Sequence, residues 1–354
     1  MPSETMQAWV FRSKGSPSKV LHLEPTYPRP TPSGDLVLIK VHAVSLNPVG
    51  WKMMGVPPLS WIAKTPCVPE HDVSGTIEGG DLSGTEFTVG DAVFGIKRAE
   101  DVAKTGQGVL AEYALVPKQH LRRKPSNLDF DKAAAVPLAT LTALSALVDT
   151  AGVKNGASAG KKIFINGGSS AVGMNAVVIA AAYGCQVATT CSNSSRQFVE
   201  SLASDVTILD YTASPLPQQL KEHVKEDKKP FDVVFDCVGV PELYHNSASY
   251  LKSNGIYIDI AGRHLDGSLS SLIGSAIYLL GNLLRPSWLG GVARKYKFIS
   301  MSPTEKNLNE MERLLTSGTL SPIIDNVFAF EEAQKAYERS MSGRAKGKIV
   351  IRVV

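Results

Sequence analysis

Cysteine is scarce and scattered in this chain. The four residues, Cys67, Cys185, Cys191 and Cys237, form no CxxC pair. This argues against a disulfide framework or a closely spaced cysteine cluster for a structural metal, and free thiols in a reducing compartment are the simplest account. A charge bias is lacking too. Lys and Arg number 37 against 33 Asp and Glu, for a net +4 over 354 residues. The basic residues are scattered, so nucleic acid is not implied. The opening MPSETMQAWVF has neither a basic region followed by an apolar run nor an Arg-rich amphipathic pattern. No secretory signal is expected, and the expected location is cytoplasmic, or mitochondrial if a precursor segment is missing. With 44% hydrophobic and 20% charged residues the chain reads as a globular protein, long for one domain and comfortable for two.

What is present is organised around Lys161–Gly184, KKIFINGGSSAVGMNAVVIAAAYG. The short apolar run Ile163–Ile165 predicts a strand. A turn of Gly167, Gly168, Ser169, Ser170, Ala171, Val172 and Gly173 follows. A helix of small residues then runs from Met174 to Tyr183. Strand, glycine turn and helix in this order suit a phosphate site, because glycines admit the pyrophosphate and the first helical N–H groups point at it. Such turns also occur without a nucleotide. The next strand, Gln186–Cys191, leads into Ser192, Asn193, Ser194, Ser195 and Arg196, with no acid in sequence before Glu200. An acid at the end of this strand suits an unphosphorylated ribose, whereas hydroxyls, an amide and a guanidinium suit a 2′-phosphate. NADPH is therefore expected over NADH.

Around this core the pattern divides. Up to about residue 125, short strands punctuated by Gly and Pro predict an irregular β-barrel. Pro25–Pro32 reads as an extended connection. Composition then shifts, with Ala- and Leu-rich helices on either side of Pro137. Strands at 162–166, 186–191, 206–209, 231–236 and 255–260, with helices including Leu216–Glu226 and Glu242–Leu251, predict an α/β doubly wound parallel sheet. Residues 301–354 return to a mixed pattern. The expected domains are 1–126, 127–300 and 301–354, the last rejoining the first. Ser268–Leu284 carries no charge. It is too diluted by Ser, Asn and Gly to be expected to span a bilayer. A buried or lid-like helix is the plain reading. A wall of the substrate cleft, built from Leu272, Ile273, Ile277, Tyr278 and Leu280, is the sharper one, with a subunit or peripheral membrane contact through 268–290 as a further reading.

Taken together, VSLNPVGWK (44–52), DVSGTI (72–77), VGDAVFG (89–95), AAAVPLATLTAL (133–144), INGGSSAVG (165–173), Asp210-Tyr211, FDVVFDCVG (231–239) and GKIVI (347–351) resemble the medium-chain dehydrogenase/reductase superfamily. The resemblance is to its zinc-independent quinone oxidoreductase and enoyl reductase-like branch. It covers nearly the whole chain and implies a GroES-like catalytic domain beside a Rossmann NADP-binding domain. Zinc-dependent relatives hold their metal with Cys, His and Cys; here Asn47 stands at the first place, His71 at the second, and Val136-Pro137-Leu138 at the third. A catalytic zinc needs three protein ligands, so no metal is expected. The chemistry that remains is hydride delivery to an activated C=C or a quinone, with an apolar substrate. The resemblance offers Asn47, Lys52, His71 and Thr140 as catalytic candidates. It adds Asn47, Tyr211, Val238, Gly239, Ala261, Gly262 and Lys348 as cofactor contacts. Three residues after Asn47 the family often has Asp, and this chain has Gly50. That departure sustains a second reading, a cofactor-bound scaffold without turnover. Either a monomer or a homodimer is compatible with the sequence.

Overall fold

A computed structural model describes residues 4–262 and 268–354. Residues 1–3 and 263–267 lie outside them. The chain forms two compact units. One comprises the residues up to Leu141 together with Ser302–Val354, and the other is Thr142–Met301. The first crossing falls later than residue 126 for a physical reason. The short helix Phe130–Ala134 packs on the first unit: Ser74 Oγ donates to the Phe130 carbonyl at 2.6 Å, and Ala134 and Ala135 are buried with Ala43 and Val350.

The first unit begins with β1 (Thr5–Phe11), β2 (Leu21–Pro28), β3 (Leu36–Ser45), β4 (Asp72–Gly80), β5 (Ala92–Ile96), β6 (Tyr113–Pro117) and β7 (Leu121–Arg123). The second holds β8 (Lys162–Asn166), β9 (Gln186–Cys191), β10 (Thr207–Asp210), β11 (Phe231–Asp236), β12 (Leu251–Asp259) and β13 (Lys295–Phe298). The chain then returns with β14 (Ile324–Ala329) and β15 (Lys348–Arg352).

In the first unit the main sheet runs β14-β15-β3-β4-β5-β7, with β6 also paired to β3. β15 enters between β14 and β3, its Val350 opposite Ser45 and its Ile351 opposite Val44. β1 and β2 form a separate antiparallel pair. Much of the Pro-rich stretch read as a connection is thus strand β2, whose prolines are tolerated because it is an edge. The core gathers Trp9, Phe11, Ile39, Met53 and Tyr337, and the Trp9 indole N–H donates to the Phe330 carbonyl at 2.7 Å.

The second unit is a six-stranded, fully parallel sheet in the order β10-β9-β8-β11-β12-β13. Every residue of β8 is buried, as a central parallel strand covered on both faces requires. The helix expected over Glu242–Leu251 stops early. It is helical over Pro241–His245, a 3₁₀ turn covers Ser247–Ser249, and Leu251 opens β12. The Asn246 side chain bonds back to the Glu242 carbonyl at 2.9 Å, a local alternative to continuing the helix. β13 escaped the sequence reading because Lys-Tyr-Lys-Phe is short and half charged.

One carboxylate fixes the carboxyl ends of this sheet. Asp236 is fully buried. It accepts from Asn166 Nδ2 at 2.8 Å, from the Val238, Gly239 and Val240 amides at 2.9 Å each, and from the Tyr257 hydroxyl at 2.8 Å. Asp236→Ala would leave five donors without this acceptor, those of Asn166 and Tyr257 buried. Denaturant unfolding should show a loss of about 3–5 kcal/mol, and a loss under about 1 kcal/mol would contradict this account.

Candidate functional site

In the second unit the glycine turn lies between β8 and the helix Ala171–Ala182. The Gly167 amide donates to Thr190 Oγ1 at 2.8 Å and the Gly168 amide to the Thr190 carbonyl at 2.9 Å, so the end of β9 shapes the turn. Ser170 caps the helix, its Oγ accepting from the Gly173 amide at 3.0 Å. Ser169 is half-buried beside it. The amides of Ala171 and Val172 open the helix with no acceptor among the described residues. These are the donors an anion would meet. Gly173 has a different reason: a Cβ there would overlap the Gly167 carbonyl oxygen. Enlarging it breaks the turn itself before any phosphate is involved.

The parallel sheet brings the other cofactor candidates to the same edge. Ser192 follows β9, and its Oγ lies 3.0 Å from Ser194 Oγ. Asn193 is exposed, and Ser195 is buried. Arg196 opens a short helix, its guanidinium 3.6 Å from the Glu200 carboxylate. Tyr211 follows β10 and is exposed. Val238 and Gly239 follow β11, held by Asp236; Ala261 and Gly262 follow β12. Asp259 accepts from the Ala261 amide at 2.9 Å, the Gly262 amide at 2.8 Å and the Tyr296 hydroxyl at 2.8 Å. Burial pushes the Asp259 carboxyl up, against those donors.

The loop after β9 is free of acid in sequence, yet Asp210, the last residue of β10, stands in register with Cys191. Its carboxylate accepts from the Thr212 amide and hydroxyl at 2.8 and 2.7 Å, which hold its pKa down; the Arg196 charge acts in the same direction.

Asn47, Lys52, His71, Thr140 and Lys348 belong to the first unit. Three of its residues form one buried group with Asp72. Lys348 Nζ donates to Asn47 Oδ1 at 2.6 Å and Asp72 Oδ2 at 3.1 Å. Asp72 Oδ2 also accepts from Asn47 Nδ2 at 2.9 Å and Ser45 Oγ at 3.1 Å, and its Oδ1 from the Leu138 amide at 2.8 Å. Asn47 sits at the start of helix Pro48–Gly55, but its side chain caps nothing there. The Lys348 ammonium is buried, and two of its three donors are bonded inside the protein. Lys52 stands apart, its ammonium 5.7 Å from the Trp51 ring centroid and its pKa lowered by burial.

His71 is fully buried. Its Nδ1 meets the Lys97 carbonyl at 3.1 Å, which fixes the proton on that nitrogen, while Nε2 has no partner among the described residues. Burial pushes its pKa down to about 4, so the ring is neutral near pH 7 and a weak base. Thr140 is likewise fully buried, with Oγ1 unpartnered. Orphaned buried polar atoms are uncommon. They are two of the orphaned buried atoms described in the first unit, His120 Nδ1 being another.

Glu70 was missed from the sequence. It is fully buried with φ 72°, a left-handed backbone that is costly for a residue with a Cβ. Its carboxyl accepts from the Tyr337 hydroxyl at 2.6 Å and the Asn47 amide at 3.1 Å. Burial pushes its pKa up from 4.5 to about 8, outweighing Tyr337 and Lys348, which pull it down. A Cβ on residue 50 would overlap Glu70 Oε1. Gly50 is therefore not a vacancy: the Glu70 carboxyl lies where that side chain would begin. Lys97 was also missed. It is 2% exposed, and burial lowers its ammonium to about 8.

The chain belongs to the medium-chain dehydrogenase/reductase superfamily, oxidoreductases that bind a nicotinamide cofactor. The family model for the alcohol dehydrogenase GroES-like domain matches residues 33–126, and that for the zinc-binding dehydrogenase matches 203–351. The chain is 32% identical to a trans-enoyl reductase, pgmF, of Aspergillus terreus, over 99% of this chain and 96% of that protein. It is 30% identical to a chloroplast envelope quinone oxidoreductase homolog of Arabidopsis thaliana, over 99% of each. Among solved structures, the quinone oxidoreductase of Coxiella burnetii superposes with a TM-score of 0.77 at 26% identity, over 99% of both chains.

Two measurements check the first-unit account. Gly50→Asp alone should cost about 2–4 kcal/mol through overlap with Glu70. Adding Glu70→Gly, which relaxes the φ of 72°, should recover about 1–3 kcal/mol as a coupling energy in a four-protein unfolding cycle. Independently, a raised folded-state pKa at Glu70 means that its contribution is full below pH 4.5 and is lost as pH rises to about 8. Glu70→Gln should flatten that fall, measured by urea unfolding across the range. The His71 contribution runs the other way, lost as pH falls from 6.5 to about 4, and should persist in the variant.

Proposed function

We propose that the protein is an NADPH-dependent, zinc-independent reductase of apolar α,β-unsaturated carbonyl, enoyl or quinone substrates. The observation that carries this reading is the Lys348–Asn47–Asp72 group. Where a metal-dependent relative would present a first thiolate, this chain presents an amide whose oxygen is bonded to a buried ammonium. A cation placed there would face Lys348, and His71 offers one nitrogen with no second and third ligand beside it. Among the described residues no group of three His, Cys, Asp or Glu is arranged to hold a metal. Without a Lewis acid, the substrate's own carbonyl must serve as the electron sink.

When bound, the reduced nicotinamide supplies a hydride. The chain's own residues bind and orient. The Ala171 and Val172 amides receive the pyrophosphate, and Ser192, Asn193 and Arg196 receive the 2′-phosphate. Arg196 offsets Asp210 across the same edge. The unpartnered Thr140 hydroxyl is suited to donate to a developing enolate oxygen. Neutral His71 can accept a hydrogen bond at Nε2. The scaffold reading rests on Gly50 in place of an Asp; the Glu70 carboxyl against that position supplies a polar group there and supports the enzyme reading.

Steady-state NADPH oxidation with a panel of enones and naphthoquinones tests the reaction, and turnover should survive chelation. NADPH should bind more tightly than NADH, and Arg196→Ala should weaken NADPH by about 1.5–3 kcal/mol while leaving NADH nearly unchanged. Equal affinity for the two cofactors in the unmodified protein would overturn the cofactor assignment.

A further inference from the structure

The uncharged segment after β12 forms a helix over Leu269–Leu284, and it is amphipathic in the wrong sense for a core helix. Its inward side carries Gly274, Ser275, Tyr278 and Asn282, and a cavity of about 310 Å³ lies between Gly274, Tyr278 and Asn282 and the facing Tyr244 and His245, with Ile277 also lining it. Its outward side carries Ile273, Ile277, Leu280 and Leu284, spaced i, i+4, i+7 and i+11, at 52%, 66%, 56% and 74% exposure. That spacing is one continuous stripe. The buried helix expected from the sequence is not found: Leu279 packs on the core and Leu272 is half-buried, but the remaining large aliphatic residues described are exposed. The stripe continues past the helix. Arg285 Nε donates to the Leu289 carbonyl at 2.6 Å, and the turn so formed presents Trp288 at 80% exposure. Exposed apolar surface of this extent marks an interaction site.

The charges around it choose the occupant. From Ser268 to Thr304 the chain has no Asp or Glu, and it has Arg285, Arg294, Lys295 and Lys297. None of these four forms an ion pair among the described residues. Tyr296 of β13 turns toward the helix, packing on Tyr244 and Tyr257, so Lys295 and Lys297 lie exposed on the other face, and the Arg294 guanidinium is bonded to backbone carbonyls; Arg285, exposed at the end of the helix, is the charge beside the stripe. A second copy docked stripe to stripe would offer Arg285 no carboxylate from the segment 268–304. An anionic bilayer surface complements Arg285, takes up an aliphatic stripe about 17 Å long, and accommodates an exposed Trp at its polar–apolar boundary. No helix is long and apolar enough to cross a membrane, so the helix would lie in the interface plane.

We propose that Leu269–Leu289 is a docking surface for anionic lipid membrane, inserted by its outward aliphatic stripe and Trp288. The test uses the full chain and vesicles of phosphatidylcholine alone or with about a quarter phosphatidylserine. Co-sedimentation is expected with the anionic vesicles, weaker on raising salt, and slight with phosphatidylcholine alone. The tryptophan emission should shift to the blue on adding anionic vesicles, and Trp288→Phe should lose that shift. Ile277→Asp with Leu284→Asp should lower the bound fraction about tenfold or more, with an unchanged thermal midpoint. Trp288→Ala should lower it even if the double variant folds poorly. Absence of binding by the unmodified protein, or equal binding by all variants, would overturn the proposal. A dimer that the double substitution converts to a monomer, without vesicle binding in either form, would assign the face to a second copy instead.

Discussion

In the first unit, one buried carboxylate accepts hydrogen bonds from four donors on three stretches far apart in the chain. Asp72 receives Ser45 Oγ, Asn47 Nδ2, the Leu138 amide and the Lys348 ammonium. Lys348 and Asp72 are 2% and 0% exposed at their side chains. A pair so placed has lost two hydration shells, and its Coulomb attraction roughly offsets that loss. Its value is therefore less in net stability than in specificity. Any arrangement that separates β15 from β3 and β4 leaves a charge buried alone, which costs several kcal/mol. Asn47 is held by the same contacts at its amide oxygen and nitrogen, and by Glu70 at its backbone N–H. Its rotamer is set by the sheet register and is not free to respond to solvent.

The second unit solves a related problem with acceptors at strand ends. A parallel sheet leaves a row of amides beyond its last ladder bonds, and these must find partners. Asp236 takes the amides two, three and four places on, Asp259 those two and three places on, and each takes a tyrosine hydroxyl as well. Both obey the spacing Asp-x-x-Gly, with Gly239 and Gly262 at φ 85° and 62°. The two loops are thus rigid by construction, and they sit on the same edge as the open amides of Ala171 and Val172.

Period, turn chemistry and order of elements made the two architectures readable from the sequence, as they did the glycine turn and five of the six parallel strands. Burial was less readable. Glu70 and Asp72 flank His71 in the chain, and all three look alike as polar residues at the start of a strand; only packing makes Glu70 the group against Gly50 and Asp72 the acceptor for Lys348. Asp210 was invisible to reasoning about one loop, because parallel pairing, not sequence distance, carries it beside Cys191. The repeated Asp-x-x-Gly was a signal in plain sight. The helix Leu269–Leu284 was recognised by its composition, but composition is blind to which side faces out.

The place of β15 has a consequence for how the molecule is made. It is the strand between β14 and β3, and its first residue is Lys348. During synthesis the second unit, Thr142–Met301, leaves the ribosome whole while the first still lacks its closing strand. Until residue 348 emerges, β3 has an open edge and Asp72 has no counter-charge. The nucleotide-binding unit is thus free to fold first, as domains generally do in order of emergence. The unit that opens the chain is the last to finish, held incomplete for most of translation by a lysine near its far end.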